Sequence, residues 1–214
     1  MIVDISDWGL NLFHTWGIFS IRSQEISRGV SDIFDYCASL DPEIVNITFI
    51  SSNNLAGANH AYLASYFANR AIRAKYNIAK DFGMEMFLYL SGQNQIFIAK
   101  ESFGIDDAHI SSGLPCCVVM QGQSEITLLA AKDSLEQFLN SPIGDFDEAA
   151  AVLHFEDIAA NLGLSPLYLG VMQKLTNNIP QLPVAVLDPR ELALLQALIE
   201  RMVALSLDAF KWEF

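Results

Sequence analysis

The residue types that carry most enzyme chemistry are scattered along this sequence. The histidines have no partner at helical spacing and no acidic cluster beside them; they are His14, His60, His109 and His154. A metal site needs several such ligands close together. The sequence also lacks a glycine-rich phosphate loop and a Gly-x-Ser-x-Gly nucleophile elbow. It therefore predicts no catalytic residue, no metal site and no cofactor.

The cysteines have the spacing of neither a metal site nor a disulfide framework; they are Cys37, Cys116 and Cys117. The adjacent pair precedes an apolar run, which favours buried, unreactive thiols. Asp4 stands where a signal peptide needs basic residues, and Glu200–Arg201 interrupts the C-terminal apolar run. Free thiols are typical of a reducing compartment. We therefore predict a cytoplasmic protein with no membrane partner.

Charge is distributed unevenly along the chain. The 12 basic and 25 acidic residues give a net charge of −13, which repels nucleic acid on average. Between positions 56 and 100 the balance is 5 − 2 = +3, which leaves 7 − 23 = −16 for the remainder. The bases of this segment are Arg70, Arg73, Lys75, Lys80 and Lys100. Any nucleic-acid partner is therefore expected to bind here.

A predicted helix from Asn59 to about Lys75 carries part of this charge, because alanine is abundant there and Pro and Gly are absent. At about 100° per residue, its polar side chains fall within one arc. They are Asn59, Tyr62, Tyr66, Asn69, Arg70 and Arg73. Tyrosines interleaved with arginines suit unpaired bases and phosphates. An ordinary solvated helix face has the same pattern, so the residues alone leave both interpretations open.

Other elements follow from hydrophobic periodicity and turn signals. We predict strands over 16–21, 44–50, 117–120 and 125–129, with a turn at 122–123. We predict helices over 23–38, from a cap at Asn77 to 90, over 93–103 and over 133–139. With 52% apolar residues and no linker or internal repeat, a single domain over 1–214 is expected. Its part from about 147 should be helical, with interruptions at Pro166 and at 177–183.

The last predicted helix has a clear entry signal. Asp188 is placed as its cap, Pro189 occupies the first helical position and Glu191 completes a capping box. One apolar stripe runs along it, consisting of Leu192, Leu195, Ile199, Met202 and Val203.

The segment 54–105 carries motifs of a known protein family. They are LAG at 55–57 with His60, NRA at 69–71, NIA at 77–79, MEMFLYLSG at 84–92, QI at 95–96 and FGI at 103–105. The strand at 117–120 and the helix at 194–205 continue the match. In these residues the chain resembles the kinase-binding subunit of the KEOPS complex, the TPRKB family.

The resemblance implies an accessory protein that is not an enzyme. Members of that family bind and stimulate the small atypical kinase of KEOPS. Archaeal members also engage the 3′ end of tRNA during synthesis of threonylcarbamoyladenosine at position 37. The implied fold is α/β (α+β), with an antiparallel central sheet flanked by helices. Archaeal relatives usually carry an arginine where this chain has Asn94.

Two sets of site residues are predicted. For tRNA they are Arg70, Arg73, Lys75, Lys80, Tyr62, Tyr66, Ser91, Gln93 and Gln95. The corner at 91–95 joins two predicted helices and should offer free backbone N–H groups and amide side chains, although plain helix capping has the same sequence. For the kinase we predict an apolar surface, with candidates Leu195, Ile199, Met202, Met84 and Phe87, which are also typical core positions.

A second class of function stays open on the sequence alone. A small enzyme or ligand-binding protein could keep the same scaffold, with a pocket around the Cys116 strand and His60. Binding to the host's own kinase at micromolar concentration separates the two hypotheses.

Overall fold

The computed structural model describes residues 1–4, 13, 15–147, 155–175 and 189–210. They cluster into two compact units, each built from two stretches of chain. The sheet unit comprises Met1–Asn53 and Gly104–Phe146, and the helical unit comprises Asn54–Phe103 and Asp147–Phe214. Each unit is therefore discontinuous in the sequence.

The sheet unit contains five strands, and every neighbouring pair is antiparallel. They are β1 (Ile2–Asp4), β2 (Thr15–Ile21), β3 (Val45–Ser51), β4 (Cys116–Gly122) and β5 (Ile143–Asp145). The order is β1–β2–β4–β3, and β5 pairs with the second half of β2. The strands predicted at 16–21, 44–50 and 117–120 are thus confirmed within a residue or two at each end.

Helices of the same unit pack on one face of the sheet: α1 (Val30–Ser39), α5 (Asp107–Ser111) and α6 (Glu125–Leu139). The shared core joins sheet and helix side chains, among them Phe19, Phe49, Val118, Met120, Ile33, Ile110, Leu128 and Leu135. The expected class, α/β with an antiparallel central sheet flanked by helices, is confirmed.

The first helix begins later than predicted, at Val30 and not at residue 23. Ser23–Glu25 forms only a short 3-10 turn, and Gly29 is extended, with φ −68° and ψ 155°. The N–H of Val30 donates to Asp107 Oδ1 over 2.9 Å. A carboxylate 77 residues away therefore stabilises the start of α1, and local periodicity cannot reveal it.

The strand predicted at 125–129 is wrong, because these residues begin α6. Ser124 caps the helix by accepting from the N–H of Thr127 over 3.2 Å. Leu128, Leu135 and Leu139 are fully buried at helical spacing, whereas Ile126 is 82% exposed. Burial on one helical face decides the element here, where a short apolar run is ambiguous by itself.

The helical unit contains α2 (Gly57–Ala74), α3 (Phe82–Ser91), α4 (Ile96–Phe103), α7 (Phe155–Asn161), α8 (Pro166–Leu175) and α9 (Pro189–Phe210). Helix α2 packs on α3, α3 packs on α4, and α9 packs on α2, α3, α7 and α8. Pro189 does occupy the first position of α9. Asp188 and the stretch 177–183 lie outside the described residues. None of the described helices is both long and apolar enough to cross a membrane.

The cap of α3 is Asp81 and not the predicted Asn77. Asp81 Oδ1 accepts from the N–H of Met84 over 2.8 Å. Asn77 instead donates its amide to the carbonyl of Ala79 over 2.7 Å, within the loop that precedes the helix. Both are good capping residues, so residue type alone could not choose between them.

Candidate nucleic-acid interface

The arc of polar residues on α2 is not a solvated face along its length. Asn59, Tyr62 and Asn69 are buried, and Tyr62 is 0% exposed. Only Arg70 and Arg73, at the C-terminal end of the arc, are exposed. Packing of α2 against α3 and α9 accounts for this. Tyr62 therefore has no ring face for a base and is removed from the candidate stacking residues.

Tyr66 is half-buried, one turn before Arg70. Its ring meets that of Phe67 edge to face, with centroids 5.5 Å apart. Part of its surface stays accessible, so it remains a candidate.

Four predicted cations form an exposed basic patch at the end of α2 and in the loop that follows. We define this patch as Arg70, Arg73, Lys75 and Lys80. No described carboxylate forms an ion pair with a member of the basic patch. Lys75 ends α2 in the left-handed conformation, with φ 61° and ψ 30°. Cations at a helix C-terminus also interact favourably with its dipole.

Glu85 stabilises, by hydrogen bonds to the backbone, the loop between Lys75 and Lys80, two members of the basic patch. Its carboxylate is 1% exposed, and Oε2 accepts from the N–H groups of Ile78 (2.9 Å) and Ala79 (2.7 Å). Burial raises the pKa of Glu85, and the two backbone hydrogen bonds act in the opposite direction. The sequence analysis missed this role. An acidic residue inside an otherwise apolar helix was the available signal.

The corner at 91–95 differs from the expectation of free backbone donors. Gly92, with φ 62°, ends α3 by donating to Tyr89, and the N–H of Gln93 donates to the Leu88 carbonyl over 3.1 Å. Ser91 is buried, and its hydroxyl donates to the Phe87 carbonyl over 2.9 Å. Plain helix capping therefore accounts for residues 91–93, and Ser91 offers no group to a ligand.

The rest of the corner stays open to a ligand. Gln95 is exposed, and its carbonyl accepts the N–H of Ala99 over 3.1 Å, which closes the first turn of α4. A cavity of about 350 Å³ lies beside the corner, lined by Gly92, Gln93, Asn94, Arg201, Ala204 and Leu205. The side chains of Asn94 and Gln95 are exposed, and that of Gln93 is partly exposed.

Arg201 of α9 brings a cation to this cavity. Its guanidinium donates to the carbonyl of Gly163 over 3.0 Å and to that of Leu162. Burial lowers the pKa of Arg201, and a guanidinium remains protonated in proteins. No described carboxylate forms an ion pair with it. Sequence reasoning had no signal for Arg201, because only folding brings α9 beside the corner.

Three of the five kinase-site candidates are core residues. Leu195 and Phe87 are buried, and Met202 is 0% exposed. Met84 and Ile199 are half-buried and keep some surface.

His60 and Cys116 lie in different units. His60 is fully buried; its Nδ1 accepts from the N–H of Ala56 (3.2 Å), which assigns the proton to Nε2, 3.0 Å from the Leu90 carbonyl. Burial lowers the pKa of His60 to about 4 and raises that of Cys116 to about 11. Both ring nitrogens of His60 are thus occupied by backbone groups.

A second cavity, of about 400 Å³, lies among α7, α8 and the start of α9. Its lining is mostly apolar and includes Phe155, Ala159, Leu164, Leu169, Gly170 and Ala193, with Glu156 and Arg190 as its charged residues. Within the described part of the chain, no group of three or more His, Cys, Asp or Glu could hold a metal ion.

No protein-family model and no curated protein matches this chain.

Proposed function

We propose that this protein is a non-catalytic accessory subunit of the KEOPS type, which binds the complex's atypical kinase and helps to recruit the 3′ end of tRNA. The observation that supports the tRNA part is the basic patch. Its four cations are exposed without an ion-pair partner among the described residues, in a chain with net charge −13. Cations that form no ion pair keep a locally positive potential, which a phosphate backbone can use.

The tRNA part is tested by salt-dependent binding. With about four phosphates neutralised, the slope of log K against log salt should be about −3 or smaller in magnitude. The double variant Arg70→Gln/Arg73→Gln should lower the affinity and reduce the magnitude of that slope by about 1.5, since each lost phosphate contact removes about 0.7–0.9. Arg22→Gln is the matched control, because Arg22 is exposed and paired with Glu25 in the sheet unit. Equal binding by the double variant would contradict the proposal.

The 3′ end itself is tested with trimmed tRNA. Removal of the unpaired 3′ nucleotides should abolish the specific component of binding at physiological salt. A purely electrostatic surface would bind intact and trimmed tRNA equally, and that result would overturn end recognition.

The kinase part is supported by the family resemblance and by the surface that Ile199 and Met84 retain. Ile199→Glu should weaken capture of the host's own kinase while the protein stays folded, because this side chain is only half-buried. Failure of the wild-type protein to bind that kinase at micromolar concentration would contradict this part.

The apolar cavity among α7, α8 and α9 favours one alternative, a protein that binds a small apolar ligand. Gly170 lies in the cavity lining, and a Cβ added there would meet no atom within 4 Å. In this alternative, wild-type protein enhances the fluorescence of anilinonaphthalene sulfonate and Gly170→Phe does not. Equal fluorescence from both proteins would dismiss the cavity as the site.

A further inference from the structure

The first turn of α4 exposes three consecutive apolar side chains. Ile96 is 41% exposed, Phe97 is 77% exposed and Ile98 is 37% exposed, whereas Ala99 and Phe103 are the buried residues of this helix. A surface helix normally turns its large apolar side chains toward the core. A contiguous exposed apolar group of this kind marks a binding surface.

Two amide side chains and two cations lie near this turn, together with one carboxylate, that of Glu101. Lys100 is exposed one turn after Phe97 and pairs with no described carboxylate. The amides of Asn94 and Gln95 precede the turn and are exposed. Arg201 lines the cavity that Asn94 also lines. An exposed aromatic ring beside amides and cations is the combination that binds single-stranded nucleic acid.

We infer that Phe97 is the ring on which an unpaired base of single-stranded RNA stacks, with Lys100 and Arg201 facing its phosphates. The inference rests on the proposed tRNA function and deepens it, because it names the residue that receives the base. Phe97 offers the open ring face that Tyr62 lacks. Glu101 is also exposed one helical turn after Phe97, so the positive charge at this site comes from Lys100 and Arg201 against one carboxylate.

Charge favours RNA over a protein as the occupant. A protein-docking patch needs only apolar area with a polar rim. Here the neighbours of Phe97 on the N-terminal side are uncharged donors, and the cations nearby have no acidic partner among the described residues. That arrangement complements phosphate oxygens, which are acceptors only.

The test compares three substitutions at Phe97 by fluorescence anisotropy with a labelled eight-nucleotide single-stranded RNA. Phe97→Leu keeps the apolar area but removes the ring, so it should weaken binding about ten-fold, as should Phe97→Ala. A ten-fold loss corresponds to about 1.4 kcal/mol. Phe97→Trp should bind at least as tightly as wild type. Ile126→Ala is the matched control, because Ile126 is equally exposed but lies in the sheet unit.

The outcomes separate the two proposals. If wild type binds neither this RNA nor tRNA at low salt, the proposed tRNA function fails. If wild type binds with the expected salt dependence and all Phe97 variants bind equally, only the stacking inference fails. If Phe97→Leu binds like wild type and Phe97→Ala does not, apolar area and not a ring is recognised, which overturns stacking in favour of a docking face. Thermal unfolding midpoints should be unchanged in every variant, since the side chain is exposed.

Discussion

At the scale of single residues, the imidazole of His60 contacts three parts of the helical unit. Its ring accepts from the loop before α2, donates to the last turn of α3 and meets the ring of Phe103 edge to face at 5.9 Å. Both backbone groups would be left without partners if the imidazole were lost. Its burial without a charged partner explains why it stays neutral.

We expect His60 to make the protein less stable in mild acid. The unfolded imidazole takes up a proton below pH 6.5, whereas the folded one does so only near pH 4. The unfolded state therefore binds more protons in this window, and the free energy of unfolding falls as pH decreases, by about 2 kcal/mol at pH 5.

The measurement is urea unfolding at pH 7 and pH 5 for wild type and His60→Gln. The glutamine does not titrate, so the stability gap between the two proteins should shrink at pH 5. A gap that is the same at both pH values would contradict the assignment of a depressed pKa.

A second residue-scale prediction concerns Gly92. An added Cβ would lie 3.0 Å from Cβ and 3.1 Å from Cδ of Arg201, on a backbone with φ +62°. Gly92→Ala should therefore cost the strain of the left-handed conformation, about 1 kcal/mol, and also displace Arg201. Gly163→Ala is the control, because Gly163 has φ +67° and no atom near its Cβ position.

Denaturant unfolding of both variants gives the comparison. Gly92→Ala should be the less stable of the two, and the difference measures the contact with Arg201. Equal stability would mean that Arg201 moves aside at no cost, and the cavity beside the corner would then change shape.

At the scale of elements, α9 is chiefly a core helix. Leu195 and Met202 are buried, whereas Val203 is 40% exposed and Leu207 is 59% exposed. The residues of the predicted apolar stripe do lie on one helix, but Leu195 and Met202 are buried inside the helical unit. A partner can contact only what the packing of α9 leaves exposed.

Leu195→Ala should lower the free energy of unfolding by about 2–5 kcal/mol, because it opens a cavity in a packed core. Val203→Ala, on the same helix, should change it by no more than about 0.5 kcal/mol. Chemical denaturation followed by circular dichroism measures both. Similar losses from the two substitutions would contradict the burial of Leu195.

At the scale of the whole molecule, burial lowers the reactivity of the cysteines: Cys116 and Cys117 are buried, and Cys37 is half-buried. Burial raises the pKa of Cys37 to about 12 and that of Cys116 to about 11, and it raises that of Cys117 well above its usual value. The thiolate is the reactive form. In the native protein these thiols are therefore almost entirely protonated at neutral pH.

We expect titration with a thiol-reactive disulfide reagent at pH 8 to find almost no reactive cysteine in the native protein. The same titration in guanidinium should find all 3 cysteines of the sequence. Rapid reaction of one thiol without denaturant would contradict this prediction. It would identify an accessible, activated cysteine and support the hypothesis of an enzyme.

The sequence by itself determined most of the regular elements and the location of positive charge. Strands β2, β3 and β4 and helix α2 appear where the sequence predicts them, because short apolar runs between turn signals favour strands and an alanine-rich segment without Pro or Gly favours a helix. The basic patch was visible because charge is a property of composition. The absence of ion pairs between this patch and the described carboxylates was not visible in the sequence, because it depends on where the folded chain places those carboxylates.

Only the tertiary structure decided which polar side chains are accessible. Tyr62 and Arg70 lie on one helical arc, yet one is buried and the other exposed, because helices α3 and α9 cover part of that arc. The start of α1 depends on Asp107, and the corner after α3 gains Arg201 from the last helix. The helical period determines in which direction a side chain points. Whether that side chain is buried or exposed depends on packing against segments that are distant in the chain.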